Sequence, residues 1–269
     1  MPELAEVRIM SDYINEVCSG KIFNNIRKSQ VSKVKTSIYN PFETWKITSK
    51  SRGKELKLIF TSSTGEQECM ICSMGMSGHF ALTRTEKELK HSHLMFDTIT
   101  GITLSLVDVR RFAKWKWGDW NFGRSPDPVQ DFENFKKNIE SNINHKDFLK
   151  PIGEILMSQT YFNGLGNYLR AEILYKTEQN PFQSAKEAIL NNKKLLTYCK
   201  QIPEEAYNLG GGELRDWHNP LKSSNGLHIK DWMQCYSKKN MSSVVDGSGR
   251  RLWFDPIWNS SIPENLKDA

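Results

Sequence analysis

The sequence has no run of eighteen apolar residues, which excludes a helix able to cross a membrane, and no membrane partner is expected. Its first residues, Met-Pro-Glu, carry no basic stretch followed by an apolar one, so no secretory leader is expected either. Cysteine is sparse and odd in number. Cys18, Cys69, Cys72, Cys199 and Cys235 are expected to be reduced thiols rather than a disulfide framework. Charge of neither sign dominates. Thirty-seven lysines and arginines face 31 aspartates and glutamates, and the net charge of +6 permits a polyanionic partner without requiring one. There is no internal repeat and no low-complexity tract, so solenoids and biased tails are set aside. What remains is 269 residues, 38% of them hydrophobic, enough for one large domain or two ordinary ones and too apolar for wholesale disorder.

The periodicity changes along the chain. Val7, Met10, Ile14 and Val17 recur at three- and four-residue steps and predict a helix over 3–18, with Gly20 as its stop. From Leu56 the repeat shortens to two. Leu56, Leu58 and Phe60, then Met70 and Cys72, Phe80 and Leu82, Leu94 and Phe96, and Leu104 and Leu106 predict short strands. Ser51-Arg52-Gly53, Ser63-Thr64-Gly65 and Thr100-Gly101 are the turns between them, and closely spaced strands suggest a β-sandwich or barrel. Residues 123–130, rich in Gly and Pro, read as a linker. From 131 the spacing of Phe132, Phe135 and Ile139, of Ile152, Ile155 and Leu156, and of Leu165, Leu169 and Ile173 is helical. Gly210-Gly211-Gly212 breaks this texture before a polar stretch. The segment from Cys235-Tyr236 to Trp253-Phe254 reads as a β-hairpin turning at Asp246-Gly247-Ser248-Gly249.

Two motifs could carry chemistry. Pro2-Glu3 suits a helix start, since proline fits the first turn and glutamate favours the positive end of the dipole. It also suits covalent catalysis once Met1 is removed. A terminal secondary amine titrates near ~8 rather than the ~10.4 of lysine, so it is more readily uncharged and can attack a sugar anomeric carbon to give an iminium. Glu3 beside it could move protons. The second motif, Asn163-Gly164-Leu165-Gly166-Asn167, opens a helix after a helix expected to end near Gln159. No strand precedes the glycines and no Gly-Lys-Ser/Thr follows. Helix–turn–helix contact with a phosphate is therefore the better reading than a nucleotide loop.

Taken in order, Pro2-Glu3 and Glu6, residues 51–56, Met74-Gly75-Met76-Ser77-Gly78, residues 107–112, residues 162–175 and residues 249–254 resemble the formamidopyrimidine-DNA glycosylase/endonuclease VIII family, and most the animal branch with a zincless finger. The resemblance covers nearly the whole chain. It implies an α+β fold: an N-terminal β-sandwich with flanking helices (1–122) and a C-terminal helical domain (131–269). The second domain would carry a helix–two-turn–helix at about 150–176 and a finger hairpin at about 232–255. It implies a bifunctional glycosylase and abasic-site lyase of base excision repair, acting as a monomer in the nucleus on damaged DNA, duplex or single-stranded. Oxidised pyrimidines and formamidopyrimidines would be removed through a Pro2 Schiff base, with strand cutting by β,δ-elimination. A non-catalytic reader of damaged DNA on the same fold is the alternative. It is motivated by Leu4-Ala5, which stands where the family usually has Gly-Pro.

By resemblance, Pro2 is the nucleophile, Glu3 the acid/base assisting ring opening, Glu6 a helix residue near the lesion, and Lys54 a phosphate-contacting catalytic lysine. Met76, Arg110 and Phe112 would fill the void of an everted base, which costs a few kcal/mol to extrude. Asn167 would bind a phosphate from the helix–two-turn–helix, Arg250 would grip phosphates from the hairpin tip, and Tyr236 would lie near the backbone. From the residues alone, Lys54 could equally be an exposed turn lysine, Met76 and Phe112 core residues, and Arg110 an ion-pair partner. No metal and no cofactor are expected, because residues 230–254 hold only Cys235. Cys69 and Cys72 are three apart on a strand and should face opposite sides. His91 and His93 read as solvated or hydrogen-bonded. Glycine at 210–212 gives no basis for transferring a base preference.

Overall fold

The structure, a computed structural model, describes residues 2–212 and 228–267. The polar stretch expected after Gly212 and the removal of Met1 both concern residues outside these. The described chain divides into two compact units. The first runs to Asn121 and includes Gly211 and Gly212; the second comprises Phe122–Gly210 and the chain from His228. No helix is long and apolar enough to cross a membrane among the described residues.

The first unit opens with α1 (Leu4–Cys18), whose apolar stripe is buried, Leu4, Met10 and Ile14 being at most 1% exposed. Eight strands follow: β1 (Phe23–Lys28), β2 (Trp45–Arg52), β3 (Glu55–Ser62), β4 (Gln67–Ser73), β5 (His79–Arg84), β6 (Ser92–Thr98), β7 (Ile102–Val107) and β8 (Lys114–Trp117). They form one antiparallel sheet in the order β5-β7-β6-β1-β2-β3-β4-β8. The expected sandwich is this single sheet folded on itself. β1 and β2 share only the Phe23–Trp45 pair, and the rings of Phe60 on β3 and Phe96 on β6 lie 5.7 Å apart although two strands separate them in the sheet. Strands about 4.8 Å apart side by side could bring those rings together only by folding.

Helix α1 is stitched to this sheet by polar side chains. The Ser49 backbone N–H on β2 donates to the Asn15 side-chain oxygen (2.7 Å), while the Asn15 amide donates to the Ser49 carbonyl (3.1 Å), and the Ser49 hydroxyl donates to the Ser11 carbonyl (2.7 Å). On β5, the Leu82 amide donates to the Tyr13 hydroxyl at 3.1 Å. All of these lie at the helix–sheet contact, where an unmet backbone group would cost about 1–3 kcal/mol.

The second unit contains α2 (Phe132–Asn142), α3 (Ile152–Ile155), α4 (Asn167–Lys176), α5 (Ala185–Asn191), α6 (Lys194–Asn208), α7 (Ile229–Trp232), the hairpin β9 (Ser242–Val245) and β10 (Arg251–Phe254), and α8 (Glu264–Lys267). Residues 123–130, expected as a linker, pack into this unit instead. Ser125 and Asp127 are buried, the Ser125 amide donates to the Gln159 carbonyl (3.0 Å), and the Asn163 amide donates to the Ser125 carbonyl (3.0 Å). The helix expected to run to Gln159 ends at Ile155. Gln159 is a turn organiser: its side chain accepts from the Gly164 amide (2.9 Å) and donates to the Leu165 carbonyl (3.0 Å), which closes the turn leading into α4.

Candidate catalytic and nucleic-acid-binding residues

Pro2 and Glu3 are buried at the head of α1, with Glu3, extended, in the N-cap position. Glu6, one turn in and 1% exposed, accepts the Glu3 backbone N–H at 2.7 Å, the reciprocal arm of a capping box. Its other carboxylate oxygen accepts the Gly212 N–H at 2.6 Å. One carboxylate thus fixes the residue next to Pro2 and the chain returning at 211–212. Leu4 and Ala5 are fully helical and buried, so their departure from Gly-Pro leaves the start of α1 intact.

Lys54 occupies the two-residue turn between β2 and β3, after Arg52 pairs with Glu55 across the hairpin. Gly53 has φ +56, the positive value that the first position of a type II′ turn demands. Lys54 is half-buried rather than a fully exposed turn residue. Beneath the hairpin, Arg52 and Lys57 stand over the Trp120 ring at 5.2 and 4.4 Å.

Met76, Arg110 and Phe112 are brought together on two adjoining loops and are not core. Met76 is 41% and Phe112 47% exposed, and the Arg110 guanidinium stands 5.1 Å over the Phe112 ring. Gly75 (φ +58) makes the contact possible, since a Cβ there would sit 2.6 Å from Phe112 Cβ. Asp108, fully buried, builds the second loop. Its carboxylate accepts the backbone N–H groups of Arg110 (3.1 Å), Phe112 (2.6 Å) and Ala113 (2.7 Å) and the Ser77 hydroxyl (2.5 Å) from the facing loop. Burial raises the Asp108 pKa, but hydrogen bonds from Ser77 and these three amides outweigh it and hold the carboxyl below its ordinary value. The Asp108 carbonyl also meets His93 Nε2 at 2.9 Å, so that histidine is a buried hydrogen-bonded group.

In the second unit, Asn167 is the first residue of α4 and lies half-buried. Its amide donates to the Arg251 carbonyl at 2.9 Å, and its oxygen accepts from Arg170. Arg250 is exposed at the hairpin tip. Asp246 sets that tip, accepting the N–H groups of Ser248 and Arg250 at 3.0 Å each and the Ser248 hydroxyl at 2.6 Å. Tyr236 is half-buried, packed edge-on against Tyr168 and Trp253 with ring centroids 6.4 and 6.3 Å away. Its backbone N–H, with those of Gln234 and Cys235, ends on the fully buried Glu172 carboxylate at 2.8–3.0 Å.

Sequence reasoning passed over Asp108, Arg170, Glu172 and Asp246. Their signal was present: Arg170 and Glu172 lie within five residues of Asn167 on one helix, and aspartates open both turns. Among the described residues no group of three or more His, Cys, Asp or Glu side chains could hold a metal ion. Burial, with Glu172 and Asp255 nearby, pushes the Cys235 thiol up to about 12.

This arrangement has clear relatives. Residues 1–115 match the model of the formamidopyrimidine-DNA glycosylase N-terminal domain, and residues 228–256 match that of the endonuclease VIII-like 1 DNA-binding segment. The chain belongs to the formamidopyrimidine-DNA glycosylase/endonuclease VIII family of DNA glycosylases. It is 34% identical to endonuclease 8-like 1 of Homo sapiens over 99% of this chain and 75% of that protein. It is 35% identical to the same protein of Mus musculus, over 94% and 72%. The formamidopyrimidine-DNA glycosylase of Legionella pneumophila (strain Paris) is 27% identical over 91% and 90%. The fold matches Lactococcus lactis Fpg, solved in complex with DNA containing N7-benzyl-Fapy-dG, with a TM-score of 0.79 at 23% identity over 96% of this chain and 99% of that one.

Proposed function

We propose that the protein removes oxidised bases, pyrimidines and formamidopyrimidines, from damaged nuclear DNA and then cuts the strand, working as a monomer on duplex or single-stranded substrates. With Met1 gone, the Pro2 nitrogen is a secondary amine and attacks C1′ of the damaged nucleoside. The glycosidic bond breaks, the base leaves with its electron pair and takes up a proton, and Glu3 protonates the ring oxygen as the sugar opens to a C1′ iminium. Loss of the C2′ proton then breaks the C3′–O bond, and loss of the C4′ proton breaks the C5′–O bond. Lys54 stabilises the phosphate beside the reacting sugar, and Glu6 holds the Pro2-Glu3 segment in place near the lesion.

Met76, Arg110 and Phe112 occupy the vacated base position. Two apolar side chains and a cation over an aromatic ring suit a gap walled by stacked bases. Asn167, Arg250 and Tyr236 hold the backbone, Asn167 by amide donation and Arg250 by charge. The observation that carries this reading is the buried Glu6 carboxylate fixing the Glu3 amide, directly behind Pro2, at 2.7 Å. It supports a preorganised reacting terminus rather than a frayed one.

Borohydride reduces an iminium to a stable amine, so incubation with lesion-bearing DNA should leave a covalent adduct whose mass shows Pro2 at the chain start. Pro2→Thr should abolish the adduct while DNA binding persists. Wild-type protein that binds lesion DNA without any adduct would instead be a reader, and the mechanism would fall.

A further inference from the structure

We propose that Arg170 is a positioning residue that aims Asn167 and Arg250 together, by joining three pieces of chain through one buried guanidinium. The inference rests on the phosphate-grip reading above. Arg170 is fully buried. One terminal nitrogen donates to the carbonyl of Gly153, the second residue of α3 (2.8 Å), and to the Asp246 carboxylate (2.6 Å). The other donates to the Asn167 side-chain oxygen and to the Arg251 carbonyl (3.1 Å).

A guanidinium donates and never accepts. It therefore takes only the oxygen of the Asn167 amide and fixes which way that amide lies, with Nδ2 toward the Arg251 carbonyl. Reversed, the amide would present an acceptor where a phosphate needs a donor. The same guanidinium neutralises Asp246, whose second oxygen holds the Arg250 N–H and the Ser248 hydroxyl. Glu154 adds a parallel tie by accepting the Gly247 N–H at 3.1 Å. Asn167 on α4 and Arg250 on the hairpin are thus set by one planar fork, a geometry that the point charge of lysine cannot reproduce.

The test is binding of the full chain to a duplex carrying a tetrahydrofuran abasic analogue, titrated by fluorescence anisotropy at several salt concentrations, with single-turnover cleavage of a lesion duplex at saturating protein. Arg170→Met should weaken binding about tenfold or more and reduce the slope of log affinity against log salt by about one to two, as lost phosphate contacts do. Single-turnover cleavage at saturating protein should fall by a smaller factor than affinity does, because saturation offsets lost binding. Arg170→Met added to Asn167→Ala should cost less than the two changes made separately.

A folded Arg170→Met protein with wild-type affinity and slope, tested beside Asn167→Ala and Arg250→Ala variants that lose both, overturns the proposal. If those two variants also keep wild-type affinity and slope, the phosphate-grip reading itself has failed. Should Arg170→Met not fold, Arg170→Lys and Asp246→Asn are read by the same two criteria.

Discussion

Asp108 decides the shape of the loop that carries Arg110 and Phe112, because a fully buried carboxylate gathers three backbone amides and the Ser77 hydroxyl. Asp108→Ala removes the acceptor shared by four donors and should destabilise the protein by about 2–4 kcal/mol, measurable by urea unfolding. Its pKa lies below the ordinary ~3.9 of aspartate, so its contribution is complete above that value and is lost as pH falls through the folded-state value. Asp97 and Asp246 shift the same way. Wild type should therefore melt progressively earlier below about pH 4, and Asp108→Asn, less stable at neutral pH, should show a shallower acid dependence. A variant as acid-sensitive as wild type would contradict this. Gly75 sits at φ +58 with Phe112 Cβ 2.6 Å from where its own Cβ would be. Gly75→Ala should cost about 1–3 kcal/mol and displace Phe112, seen as a lower melting temperature with slower base removal. Of this cluster, Met76, Arg110 and Phe112 were legible by resemblance. That Asp108 and Gly75 join the two loops was not, since nothing in a linear pattern says that two loops thirty residues apart will touch.

At the scale of elements, strands with clean alternation were readable and those with polar inward positions were not. β3, β4, β5, β6 and β7 and the turns at 63–65 and 100–101 follow the expectation, whereas the turn expected at 51–53 falls at Gly53-Lys54 because Ser51 and Arg52 still pair in β2. β2 escaped because its inward row is Trp45, Ile47 and Ser49, and Ser49 is buried only because Ser11 and Asn15 satisfy it. β1 escaped because Arg27 pairs with Asp97 at 2.7 Å, a contact between strands seventy residues apart. β8, Lys114–Trp117, is too short to show a period. The finger segment is held by Glu172, which collects three consecutive amides from Gln234 to Tyr236. Glu172→Leu should loosen that segment, with faster hydrogen exchange at 234–236 and a loss of about 2–4 kcal/mol, because three consecutive amides lose one charged acceptor. Exchange as slow as in wild type would show the segment to be held by other contacts.

For the whole molecule, the family reading carries a prediction about ions. Binding to abasic-analogue DNA should weaken linearly in log affinity against log salt, with a slope of about −0.9 per phosphate neutralised. Prolonged dialysis against a chelator should leave the melting temperature and borohydride trapping unchanged. A loss restored by zinc would mean that a metal holds the protein after all.

Composition and order alone determined a great deal: an α1 stripe that begins behind Pro2-Glu3, a β-rich first half, and helices after 131. Such features follow from local periodicity and from residue types whose chemistry is their own. Tertiary structure alone decided that the strands make one folded sheet, that residues 123–130 pack rather than link, and that Glu6 meets Gly212 (2.6 Å) across two hundred residues of sequence. It alone decided that a single buried arginine serves Asn167 and the hairpin. Each of these depends on buried polar groups finding distant partners, and the cost of leaving such a group unmet is set by the folded surroundings rather than by the neighbours in the chain.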